Sequence, residues 1–296
     1  MPKELYALDK VDRESYLEIV EVYKSIIKLY DLLKNCKYEE VQNNVKSTSN
    51  LIKEIKDRAI KNKDEKNANI MFLLNLYVKA LDSIGKFWQV SESLDYQGAW
   101  SHLQDALDSL RRIYDFLEDE NNFTVAKILD YLERIEKLYP YVYFNSIETI
   151  NKKKTCSICK KSAFSKECIH IAGNLYMGEM AYNIIEEAEF LGVSLVKNPG
   201  DKRCIIFMNC DKQNIEKTPF KLIHFLINFL KYPLKDFKLE LTKRNLPISY
   251  YANWSKTSLC PCGSEKPFEV CCYGKEFVEN PHYNIIENGE INFNIN

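Results

Sequence analysis

Along the first half of the chain, apolar residues recur three and four positions apart; along the second half they fall in short runs and alternations. From Ser15 to Lys34 the apolar positions are Tyr16, Ile19, Val20, Tyr23, Ile26, Ile27, Tyr30 and Leu33, which form one stripe on a helix of period 3.6. Similar stripes run through Tyr38, Val41, Val45, Ile52, Ile55 and Ala59, and through Ile70, Leu73, Leu74, Tyr77, Leu81, Ile84 and Trp88. A fourth takes in Ala99, Leu103, Ala106, Leu107, Leu110, Tyr114 and Leu117, and a fifth Val125, Ile128, Leu129, Leu132, Ile135 and Leu138. Polar clusters such as Lys61–Asn67 and Glu118–Asn122 separate them. Five helices on short connections predict an antiparallel up-and-down bundle over residues 1–145. Pro140 ends the fifth helix, because proline lacks the N–H and clashes with the preceding turn.

Beyond Pro140 the pattern changes. Val193–Val196 and Cys204–Met208 are strand-like, and Asn198-Pro199-Gly200-Asp201 between them is turn chemistry, so the pair predicts a hairpin. Phe220–Leu230 predicts a buried helix, and Phe237–Leu241 alternates like a third strand. The expectation is an α+β protein: the helical bundle, then a small zinc-stabilised α+β domain over 150–250, a zinc module over 254–275 and a tail over 276–296 that carries no assignable pattern.

Ten cysteines change the picture, because seven of them and one of four histidines fall into two four-ligand sets. Cys260-Pro261-Cys262 is followed after eight residues by Cys271-Cys272, and Gly263-Ser264 and Pro267 suit a turn that brings the pairs face to face. Upstream, Cys156-Ser157-Ile158-Cys159 forms a knuckle that Cys168-Ile169-His170 closes. Four thiolates, or three and an imidazole, are the donor sets of structural zinc, two ions in all; iron in place of zinc stays open at the all-cysteine set. The start, Met-Pro-Lys-Glu-Leu-Tyr, has no signal-peptide core, and no apolar run is long enough to cross a membrane. A reducing cytoplasm, where clustered cysteines hold metal rather than disulfides, is the expected location. Four protein ligands close a zinc to substrate, and His170-Ile171-Ala172 lacks the Glu of a zinc deaminase, so zinc hydrolysis is not expected.

At the all-cysteine set the chain resembles the SEC-C motif, the short zinc module that ends SecA and many bacterial proteins. The family pattern, roughly C-x-C-G-S-G-K-K-[YF]-K-x-C-[CH], is met by Cys260, Cys262, Gly263, Ser264, Lys266, Phe268, Cys271 and Cys272. Glu265 stands at the second glycine, and Pro267 and Glu269 at positions where lysine is common. The resemblance implies a metal site and a docking module for a protein, ribosomal or lipid partner. The stretch Ala99–Asp108, Leu138-Tyr139-Pro140-Tyr141, the first knuckle, Leu175–Glu179 and Asn198–Cys204 is similar to uncharacterised bacterial proteins that end in SEC-C, which implies shared architecture and no activity.

Charge adds one candidate surface. Residues 1–149 hold 21 Lys/Arg against 26 Asp/Glu, a net of about −5, while residues 150–296 hold 20 against 16, about +4. Lys152, Lys153, Lys154, Lys160, Lys161 and Lys166 surround the first metal set and form a candidate anion or nucleic-acid contact. Elsewhere, Asp108 and Arg112 are spaced to pair on a helix, and no His follows Arg111 or Arg112 at the spacing of HEPN-type nucleases. Trp88 and Trp100 read as core, Glu179, Glu186 and Glu187 as helix-surface charge, and Cys204 as a buried small hydrophobe. Cys36 and Cys210 have no partner by spacing, and His102, His224 and His282 are isolated. The leading expectation is a zinc-binding adaptor with a protein or ribonucleoprotein partner. A nucleic-acid- or ribosome-associated protein, in phage defence or stress response, is the alternative, and an enzyme with a site between domains comes last.

Overall fold

The computed structural model describes residues 13–116, 123–208 and 211–291. The chain start through Tyr6, Leu117, the Glu118–Asn122 cluster, Cys210 and the side chain of Tyr16 lie outside what it describes. The architecture is mixed α+β, with helices first and small sheets carrying the cysteine clusters afterwards. Helices α1 (Arg13–Lys34), α2 (Tyr38–Lys61), α3 (Glu65–Glu92), α4 (Tyr96–Tyr114) and α5 (Phe123–Glu136) come in order. Strand β1 (Phe144–Cys156), the short pair β2 (Leu175–Tyr176) and β3 (Glu179–Met180), and β4 (Asn183–Val196) follow. Then come α6 (Lys221–Leu230), β5 (Lys235–Pro247), the single turn α7 (Phe268–Cys271) and β6 (Phe277–Glu290). Two compact units emerge: the described residues up to Leu234 with Glu290 and Ile291, and Lys235–Gly289.

In the first unit α3 is the central element. Ile70, Met71, Leu74, Val78, Ile84 and Trp88 are all buried, so it is apolar around most of its circumference, as a helix between neighbours must be. The α1, α2 and α4 stripes close over it, with Ile26 and Leu33, Ile52, and Trp100 and Leu103 inside. Three successive helix–helix turns share one device: Cys36, Lys63 and Leu94 each adopt left-handed φ (55°, 57° and 59°) immediately before the next N-cap. Asp64 and Asp95 then accept the N–H of Asn67 and Gly98, both at 3.0 Å, which satisfies an orphan donor of the following helix.

Strands β1 and β4 form a long antiparallel two-stranded ribbon, with Phe144 opposite Val196 and Cys156 opposite Asn183. Its base is set in an aromatic cluster where the Trp100 ring centroid lies 4.8 Å from Tyr139 and 4.9 Å from Tyr141, and Trp100 stacks on Phe144. The Trp100 indole N–H donates to the Lys202 carbonyl at 2.7 Å. The hairpin expected between Val193–Val196 and Cys204–Met208 does not form. Val193–Val196 is the end of β4 and pairs with Phe144–Ile147, while the second run makes one bridge, Ile205 to Phe144. Strand β1 carries no alternating signal because most of its residues are exposed and Ile147–Lys154 is mainly polar. Glu179 lies on β3 and Glu186 and Glu187 on β4, not on a helix as expected. The tail without a pattern holds β6, which pairs with β5 in the second unit.

Candidate metal centres

The first cluster is built where the ribbon ends. Cys156 is the last residue of β1, and the chain turns back at once: the Lys160 N–H donates to the Cys156 carbonyl and the Cys156 N–H to the Lys161 carbonyl, both at 2.9 Å. Lys160 takes left-handed φ (60°) to close this knuckle. The Ile158 N–H points at the Cys156 sulfur at 3.4 Å. Donation by the backbone N–H groups of Cys159 and Ile158 lowers the Cys156 thiol below its ordinary range. Cys168 and His170 return from the loop, with the Cys159 and Cys168 sulfurs 3.6 Å apart. Ligand atoms of Cys156, Cys159, Cys168 and His170 all lie within 4.8 Å of one another.

A hairpin underneath holds this loop against the helices. The Tyr176 ring meets His170 edge-on at 4.7 Å, and its hydroxyl accepts the Ile171 N–H at 2.9 Å. Met177 and Gly178 between β2 and β3 both have positive φ (49° and 77°), the geometry of a tight two-residue hairpin turn. That turn sits on the helices: the Gly178 N–H donates to Asn69 Oδ1 at 2.7 Å, the Met177 N–H to Glu65 Oε1 at 3.2 Å, and Lys56 Nζ to the Gly178 carbonyl at 3.3 Å.

The second cluster lies between β5 and β6. A short bridge between Leu259 and Pro267, with the Cys260 N–H donating to the Lys266 carbonyl at 2.7 Å, forms a miniature hairpin carrying Cys260 and Cys262. Gly263 (φ 80°) and Glu265 (φ 60°) are both left-handed within it, a conformation that glycine adopts without strain and glutamate does not. Helix α7 is one turn long and presents Cys271 and Cys272. The Cys271 sulfur is 3.6 Å from Cys262 and 3.7 Å from Cys272, and all four ligand atoms lie within 4.8 Å. Beneath them Phe268 and Val278 are buried with Cys260 and Cys272, and Ile248 and Tyr251 pack against the group. Donation from the Ser264 hydroxyl pulls the Cys262 thiol down to about 6, while burial pushes Cys260 up.

The donor sets fit a tetrahedral ion. With metal–sulfur bonds of about 2.3 Å, tetrahedral thiolates stand about 3.8 Å apart, close to the 3.6–3.7 Å of the sulfur pairs. A disulfide would bring sulfurs to about 2.05 Å. His170 Nδ1 is buried and has no hydrogen-bond partner among the described residues, a cost that a bound cation would remove. Comparison with known protein families, curated proteins and solved structures finds no match to this chain.

Other sequence candidates disperse. The six lysines lie along and beyond β1, and three are engaged by glutamates: Lys152 by Glu189 (2.6 Å), Lys153 by Glu186 (2.5 Å) and Lys161 by Glu167 (2.9 Å). Lys160 Nζ donates to the Ser157 carbonyl at 2.7 Å; Lys166 is exposed and Lys154 half-buried. Trp88 and Trp100 are core residues. Cys204 is exposed, not buried, because its segment runs along the ribbon base without joining a covered sheet. His224 Nδ1 and the Tyr96 hydroxyl are 2.8 Å apart, and His102 lies 4.0 Å from Asp105. Instead of an Asp108–Arg112 pair, Asp108 receives Arg203 at 2.6 Å, as Asp105 does at 2.9 Å and Asp201 at 2.8 Å. Arg203 was not among the sequence candidates, since an ion pair spanning 95 residues leaves no local spacing to read. An open cleft of about 300 Å³ beside it is lined by Lys79, Asp82, Asp105, Asp108, Arg112 and Arg203, and its carboxylates are largely occupied by Arg203. Among the described residues no helix is long and apolar enough to cross a membrane.

Proposed function

We propose that this chain is a zinc-binding adaptor of a reducing cytoplasm, whose two structural zinc ions hold loops in the shape that a partner protein docks against. Cys156, Cys159, Cys168 and His170 would hold one ion, and Cys260, Cys262, Cys271 and Cys272 the other. The bundle of 1–145 serves as scaffold, the 150–250 region carries the first ion and 254–275 is the SEC-C-like module. The observation that carries this reading is the convergence of two complete four-ligand sets, each within 4.8 Å, the first in a largely exposed loop and the second over a core of only a few residues. A bound zinc supplies thiolate stabilisation and tetrahedral geometry, on the order of 10 kcal/mol of apparent folding energy in zinc-finger peptides.

Protein donors fill all four positions of each set, which leaves no place for a substrate or an activated water. The role is therefore to shape and present. Cys262 is already inclined to ionise through Ser264, and burial of Cys260 makes its charge depend on the ion. A protein partner is preferred to nucleic acid because Lys152, Lys153 and Lys161 already pair with glutamates, which leaves little net field for phosphate. The test is affinity capture from lysate with the intact chain and with Cys156→Ser and Cys271→Ser, with and without nuclease. A partner that survives nuclease and is lost with either variant supports the adaptor reading. Partners that vanish with nuclease contradict it.

A further inference from the structure

Along its middle the β1–β4 ribbon is exposed on both faces, and one of the two carries no charge. Directly paired residues of an antiparallel ladder share a face, as do residues two apart on a strand. The register therefore places Asn145, Ile147, Thr149 and Asn151 of β1 on one face with Leu195, Val193, Phe190 and Ala188 of β4. The bulge at Leu191 keeps Phe190 on this side. Ile147 is 66% exposed, Phe190 63%, Val193 59% and Leu195 64%. Isolated exposed hydrophobics are ordinary, but four on one face of one ribbon, two of them cross-strand partners, form a patch. A two-stranded ribbon has too little apolar burial to be stable on its own in water.

The chemistry of the face states what fits it. Over these eight positions it carries no ionisable side chain. The carboxylates of this half of the ribbon belong to the other face, where Glu148 bonds Ser194 and Glu189, opposite Ile150, takes Lys152. An uncharged apolar face selects an uncharged apolar face, and a charged peptide or a nucleic acid would lose solvation there without a counter-charge. The pattern is also self-complementary. A two-fold axis through the Ile147–Val193 pair sets Leu195 of one ribbon over Phe190 of the other, and the reverse. The same axis sends the lysine- and glutamate-bearing metal ends in opposite directions, so like charges do not meet.

We infer that two copies of this chain associate by stacking these ribbon faces, Ile147, Phe190, Val193 and Leu195 against the same four residues. The size of the face sets the strength. The two-fold overlaps only residues 144–150 of β1 and their β4 partners, so at about 3.3 Å per residue and with two strands about 4.8 Å apart the shared face is near 23 by 10 Å, and two copies cover about 460 Å², well short of the roughly 1,200 Å² of stable complexes. The dimer is therefore transient and forms only at high protein concentration.

Sedimentation velocity on the zinc-replete full chain, from about 5 to 500 μM, tests this. The expected result is a concentration-dependent shift from monomer to dimer. Val193→Thr with Leu195→Thr, which keep strand-forming or polar-tolerant exposed sites, should weaken it at least about tenfold, roughly 1.4 kcal/mol. Ile150→Thr, on the opposite face, should leave it unchanged. Hydrogen exchange at 145–151 and 188–195 should slow as concentration rises. A monomer at every concentration overturns the inference, as does a dimer indifferent to the double variant.

Discussion

Gly178→Ala probes how the first metal loop is held to the helices. Gly178 has φ of 77°, and a Cβ there would stand 2.9 Å from the Ala68 carbonyl oxygen and 3.0 Å from Lys56 Cδ. Lys56 can bend away; the α3 backbone cannot. Gly173 is the matched control, with φ of 97° and nothing within 4 Å of an added Cβ. Both variants bear the conformational cost of alanine at positive φ, about 1 kcal/mol. Gly178→Ala must in addition lift the turn off α3, which stretches the Gly178–Asn69, Met177–Glu65 and Lys56–Gly178 hydrogen bonds. At about 1 kcal/mol for each bond lost, and one or two lost, Gly178→Ala costs about 2–3 kcal/mol against about 1 for Gly173→Ala. Native-state hydrogen exchange over residues 173–181 of the zinc-loaded protein reads the difference directly. Equal costs for the two variants would refute the reasoning, because the contact with α3 would then contribute nothing.

Asp64→Ala removes the cap on Asn67 and should destabilise the helical region by about 1 kcal/mol in urea titration. Lys63→Gly and Glu265→Gly relieve left-handed φ and should each raise stability by about 0.5–1 kcal/mol; a loss would show that their side chains matter more than their backbone. Arg203→Gln releases Asp105, Asp108 and Asp201 and should cost about 1 kcal/mol, a modest figure because the guanidinium is part-exposed. The Asp201 carboxyl, raised by burial but lowered further by the Arg203 backbone and guanidinium, sits below its ordinary range. A depressed carboxylate stabilises above its unfolded pKa near about 4, and the gain disappears as pH falls through the folded value, so the wild-type advantage over Arg203→Gln should shrink below about pH 4 in acid unfolding curves.

The helices were legible because each buries one stripe, and α3 stood out through Ile70 to Trp88. The ligand sets were legible because their spacing is short: the knuckle, the closing Cys168-Ile169-His170 and the two cysteine pairs each fit within one loop. Strands β1 and β6 were not, because ribbons with both faces in solvent impose no alternation, and Lys152-Lys153-Lys154 reads as a loop. The Arg203 cluster and the docking of Gly178 on α3 were invisible for another reason. They join residues about 100 positions apart, and sequence spacing encodes only what is local.

Zinc stoichiometry by non-denaturing mass spectrometry tests the central claim most directly. The intact chain should hold two zinc ions, Cys156→Ser one and Cys271→Ser one, with all ions lost as acid protonates the thiolates. A chain that holds none when purified with zinc present, or variants that still hold two, would contradict the account.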